Sequence, residues 1–139
     1  MGIGMGEEQA AVINGCSRKY YRLKYRLTIR HSADNNRDHE HSHVLEIEAY
    51  AFPMMENFQE FNNIEKHVDA CLARFQNQYL NDIPEFQGDA SLENTGEVLF
   101  PLLRAELKKN NWNLRRFEIS ETPLRVYIIT QDSFQRRCL

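Results

Sequence analysis

Two segments of alternating polarity, on either side of a histidine-rich turn, constrain this chain more than any other feature. Tyr21, Leu23, Tyr25, Leu27 and Ile29 alternate with Arg22, Lys24, Arg26, Thr28 and Arg30. A period of two marks a half-buried β-strand. The first strand is therefore expected over about Lys19 to Ser32, with one apolar and one basic face. His43, Leu45, Ile47, Ala49 and Ala51 alternate in the same way with Val44, Glu46, Glu48, Tyr50 and Phe52. That predicts a second strand from about His43 to Phe52, ended by Pro53. Paired as a hairpin, the two would set Glu46 and Glu48 against the basic face of the first strand, which is favourable across strands.

The residues between these segments are unusual. Arg37 to His43 holds three of the five histidines, and His31 continues the apolar parity of the first strand. Residues two apart on a strand share a face, so His41 and His43 can aim at one point. In a hairpin His31 ends beside them. Three neutral imidazoles with an open fourth position describe a catalytic zinc site. The plainer alternative is a polar hairpin loop whose histidines face solvent.

After Pro53 the period changes. Phe58, Phe61, Ile64, Val68, Cys71, Leu72, Phe75 and Tyr79 recur every three or four residues, the spacing of an amphipathic helix. His67 flanks that stripe and reads as a helix-side residue. Leu80 to Pro84 should stop the helix. Ser91 is a suitable N-cap for a second helix, with Glu93 in its first turn and Lys108, Lys109 and Asn110-Asn111 at its end. Pro101 lies inside it and should kink it or remove a hydrogen bond. Two short strands follow, Arg115 to Glu121 and Arg125 to Gln131, joined by a tight turn at Thr122-Pro123. Glu121 shares the parity of Phe117 and Ile119 yet is charged. Such a carboxylate is either solvated at the rim or accepts a ligand's N–H groups. The order β-β-α-α-β-β indicates an α+β domain with both helices on one face of an antiparallel sheet.

Composition narrows the function. The 139 residues are 42% hydrophobic, enough for one domain with a real core. The expected division is a flexible N-terminal arm at 1–17 and a single domain at 18–139. A net charge of −3 gives no electrostatic reason to expect nucleic acid or an anionic membrane as partner. No apolar run is long enough to span a bilayer, and Met1 to Gly15 does not read as a signal peptide. Cys16, Cys71 and Cys138 are widely spaced, without a C-x-x-C, which suits a reducing cytoplasm.

Several short motifs, in order, resemble the 6-pyruvoyl-tetrahydropterin synthase and 6-carboxytetrahydropterin synthase family over roughly Tyr20 to Thr130. His31 stands where the family has its first histidine. His41-Ser42-His43-Val44-Leu45 matches H-G-H-N-Y, Leu80-Asn81-Asp82-Ile83-Pro84 matches L-N-D-x-P, and Ala90-Ser91-Leu92-Glu93-Asn94 matches P-T-x-E-N. Ser120-Glu121-Thr122 matches the E-T motif. The resemblance implies the tunnelling fold (T-fold), in which sheets of three subunits join into a barrel, as a homotrimer or homohexamer. It implies zinc on His31, His41 and His43, and a small-molecule pterin bound by Glu121 and Thr122.

The departures are specific. Arg37 stands where the family usually has a Cys, and Gln76 and Asn77 replace the usual Asp-His pair. Neither amide accepts a proton near neutral pH. One branch of the family instead uses a Glu three residues before H-G-H, preceded by an Arg, and Asp38 has that place here. Asp38 is accordingly the catalytic base expected, ahead of His39 and Glu40. The functional expectation is a zinc-dependent lyase on a dihydropterin of the dihydroneopterin triphosphate type. The alternatives are a pterin- and zinc-binding member without turnover, and a relative that shares the fold alone.

Overall fold

The computed structural model describes residues 19–55 and 61–130. The expected arm at 1–17 and the Phe58 end of the first helix lie outside them. Four antiparallel strands form one sheet in the order β1 (Tyr21–His31), β2 (His41–Pro53), β3 (Trp112–Thr122) and β4 (Arg125–Thr130). Helices α1 (Phe61–Ala73) and α2 (Leu92–Lys109) complete the expected order of elements.

The hairpin is as its alternation requires. Tyr25 pairs with Ile47, Leu27 with Leu45, Ile29 with His43 and His31 with His41. Leu27, Ile29, Leu45, Ile47, Ala49 and Ala51 are all essentially buried, in one core with Ile64, Val68 and Leu72 of α1 and Leu99, Leu103 and Leu107 of α2. On the other face Arg26 pairs with Glu46 at 2.9 Å and Arg22 with Glu48 at 3.6 Å. The β-strand periodicity thus sorts side chains between a helix-covered face and a charged face.

Helix α1 is shorter than its apolar spacing implies. It ends at Ala73, although Phe75 and Tyr79 remain buried. Asn77 adopts a left-handed backbone (φ 61°) and turns the chain back along β1. Its N–H donates to Thr28 O at 2.6 Å, and the Arg30 N–H donates to Gln78 O at 2.9 Å. The Thr28 N–H also donates to Gln76 Oε1 at 2.6 Å. Phe75 and Tyr79 therefore anchor a turn, and their helical spacing does not extend the helix.

Helix α2 begins as expected, with Ser91 Oγ accepting from Asn94 N–H at 3.2 Å. It runs through Pro101, which lies on the exposed side, to Asn110. Strand β3 starts at Trp112, earlier than its alternation indicated, because a bulge opposite Tyr50/Ala51 inserts Arg115 and switches parity. Trp112 and Leu114 face the core before the bulge, Phe117 and Ile119 after it. A second irregularity sets Ser120 and Glu121 against Val126 of β4. Among the described residues no helix is long and apolar enough to cross a membrane.

Candidate metal centre and ligand cavity

The open end of the β1–β2 hairpin carries the three histidines. Because His31 and His41 are register partners and His43 pairs with Ile29, strand parity puts all three rings on one face. Their centroids are 4.7 Å (His31–His41), 5.0 Å (His31–His43) and 4.8 Å (His41–His43) apart, each pair edge to face. The available ring nitrogens lie within 4.8 Å of one another.

Whether these rings suit a metal depends on their lone pairs. His31 Nδ1 is 2.9 Å from the carbonyl oxygen of Ala90, to which it donates when that nitrogen carries the proton. The Nε2 lone pair is then the one left for a metal. A backbone carbonyl that fixes the tautomer in this way is the usual support of a metal-binding imidazole. His41 Nδ1 has a longer contact, 3.4 Å, to His39 O. Three imidazoles with no hydrogen bonds between them make a donor set that fits a borderline-soft divalent ion.

A cavity of about 880 Å³ opens onto these rings. Glu121 is in its wall, with Oε2 3.6 Å from His31 Nε2, beyond hydrogen-bonding distance. The second β3 irregularity lies at this carboxylate, a common use of bulges near sites. The far wall comes from the start of α2 and from β4, including Asp89, Leu92, Arg125 and Tyr127. The Ser91 N–H donates to Asp89 Oδ1 at 3.0 Å and holds that carboxyl below the usual carboxylate range. Tyr127 donates to Glu97 Oε2 at 2.6 Å, and its ring packs so close to Gly96 that an added Cβ would come within 3.0 Å.

The other expected residues are placed differently. Asp38 is on the exposed 3₁₀ turn Arg37–His39 and does not line the cavity of a single chain. Thr122 is exposed, and its Oγ1 accepts the Leu124 N–H at 3.2 Å, so its hydroxyl shapes the β3–β4 turn. His39 is paired with Asp34 at 2.5 Å, and Glu40 with Arg30 at 2.6 Å. Arg37 is tied to Asp82 at 3.1 Å and lies over the Tyr79 ring at 4.7 Å. Sequence reasoning missed Ala90 as a support for His31. It acts through a carbonyl, and the one signal was its place at the head of the Ala90 to Asn94 motif.

Comparison with known proteins agrees with the fold. The family model for 6-pyruvoyl tetrahydropterin synthase matches residues 17–132. The solved 6-pyruvoyl tetrahydropterin synthase of Caenorhabditis elegans superposes with a TM-score of 0.64 at 14% identity, over 81% of this chain and 95% of that one. An uncharacterized protein from Wolinella succinogenes superposes with a TM-score of 0.54 at 11% identity, over 82% of this chain and 99% of that one. At such identities the two structures speak for the fold, the T-fold. The comparison with curated proteins found no match. With the family model spanning most of its length, the chain belongs to the 6-pyruvoyl tetrahydropterin synthase family.

Proposed function

We propose that this chain is a zinc-dependent, tetrahydropterin-synthase-like lyase acting on a dihydropterin of the dihydroneopterin triphosphate type. The observation that carries this reading is the joining of three mutually facing imidazoles and the Glu121 carboxylate in one cavity. His31, His41 and His43 hold the metal. Zinc, when bound there, supplies a Lewis acid for oxygens of the substrate side chain. Glu121 accepts two parallel N–H donors of the pterin ring, as only an acceptor-only group can. Thr122 holds the turn that follows it. Asp38 moves the proton, reaching the substrate from the exposed turn beside the histidines. The working form is a homotrimer or homohexamer in the cytoplasm, where Cys71 stays a free thiol.

A second reading, a pterin- and zinc-binding protein without turnover, is favoured by how the substituted positions are used. The Gln76 side chain and the Asn77 backbone hold the edge of β1, and Arg37 is in an ion pair with Asp82. None of the three is a proton acceptor. Incubating zinc-loaded protein with dihydroneopterin triphosphate, dihydroneopterin and 6-pyruvoyltetrahydropterin separates the readings. The lyase reading expects a pterin product from at least one. Tight pterin binding with no product from any would establish the second reading instead.

A further inference from the structure

The Asn81 side chain is the most heavily used amide among the described residues, and Ser32 and Gly88 beside it line the histidine cavity. Asn81 is 7% exposed, on the 3₁₀ turn Leu80–Asp82. Its two N–H groups are matched by Ser32 O at 2.9 Å and Asn35 Oδ1 at 3.0 Å, and Gly88 O lies 3.5 Å from the same nitrogen. Its Oδ1 accepts the Ser32 N–H at 3.0 Å. An amide has two N–H donors and one carbonyl acceptor, and both kinds of group are engaged here.

These bonds tie the 80–82 turn to the 32–35 segment, against which the Gly88 loop packs. Ser32 follows His31 directly. Gly88 lies two residues before Ala90, whose carbonyl meets His31 Nδ1. The same loop is held from the other side by Asn94, whose Nδ2 donates to Phe86 O at 3.0 Å and Asp89 O at 2.6 Å. The fit is close. Gly88 has a φ of 77°, and a Cβ there would come within 2.8 Å of Asn35 Nδ2.

We propose that Asn81 is the positioning residue of the metal centre. By holding the 32–35 segment, on whose Asn35 the Gly88 turn packs, it keeps the Ala90 carbonyl against His31, fixing the ring's tautomer and the aim of Nε2. This rests on the metal reading above, since only there does the aim of Nε2 matter. Removing Asn81 leaves the three ligands in the sequence but releases the carbonyl that orients the first. Loss of an outer support of a metal-binding histidine typically costs about 10–100-fold in metal affinity.

The test uses the full chain, with and without zinc. In metal-free protein, in mildly alkaline buffer, long-range ¹H–¹⁵N spectra of the imidazoles report the His31 tautomer. Zinc affinity is measured by chelator competition. Wild type should show His31 protonated on Nδ1 alone. Asn81→Ala should show a tautomer mixture and bind zinc about 10–100-fold more weakly. Val68→Ala, in the core of α1, should lower stability while changing neither readout. If Asn81→Ala does not fold, Asn94→Ala, which frees the same loop, should shift both readouts the same way. An Asn81→Ala protein with the wild-type tautomer and zinc affinity would overturn the proposal. So would equal weakening by Val68→Ala. A wild type that binds no zinc, but loses its single tautomer on Asn81→Ala, would remove the metal reading and leave the Asn81 clamp supported.

Discussion

Glu121 and Asp38 are both carboxylates near the histidines, and their surroundings give them different work. Glu121 is partly buried in the cavity wall, while Asp38 is exposed on a turn. Glu121→Gln exchanges an acceptor-only group for one that turns a donor toward donors. Hydrogen bonds to a charged group contribute about 1.5–3 kcal/mol, so pterin affinity should fall about 10- to 100-fold by fluorescence titration. Asp38→Asn should leave affinity nearly unchanged and lower turnover by about 10²–10⁴-fold. Turnover unaffected by that change would remove Asp38 from the reaction. Tyr25 makes a different prediction. Burial pushes its phenol well above the ordinary tyrosine value, and among the described residues its hydroxyl has no hydrogen-bond partner. Above pH about 10 the unfolded chain ionises this tyrosine while the folded chain resists, so stability should fall as pH rises. Tyr25→Phe should flatten that alkaline fall in urea titrations and cost little at neutral pH. At this scale the histidines were legible because parity needs only sequence. The Ala90 carbonyl was not, since it lies 59 residues from His31 and any residue type but its neighbours' geometry could supply it.

Elements were legible where periodicity and packing agree. The two strands of the hairpin and the Ser91 cap follow directly from their residues. Ser91→Ala removes the acceptor for Asn94 N–H and should destabilise by about 1 kcal/mol, measured by urea unfolding. An unchanged midpoint would mean that water replaces the cap. The end of α1 was not legible, because Phe75 and Tyr79 keep helical spacing while Asn77 and Gln76 already bond to β1. The bulges of β3 were equally hidden. Bulges are set by how β2 and β4 pair with β3, and no local residue pattern announces them. They matter to the site, since the parity switch at Arg115 puts Phe117 and Ile119 inward and leads the strand to Glu121.

At the scale of the molecule, a four-stranded sheet has two edges, and here they differ. The Gln76 to Tyr79 segment covers β1 near Thr28 and Arg30, whereas Val126 and Ile128 of β4 are 44% and 43% exposed. Among the described residues β4 ends the sheet, and such a terminal strand favours closure with further copies into a barrel. For the proposed homotrimer or homohexamer, sedimentation equilibrium at micromolar concentration should give a multiple of three chains, and a clean monomer or dimer would contradict the barrel. The histidine cluster is the feature on which the functional account stands, and metal content tests it most directly. Elemental analysis of protein purified without chelators should find one zinc per chain in wild type and little in His43→Ala. Metal-free wild type after saturation with zinc and desalting, or equal zinc in the variant, would contradict it.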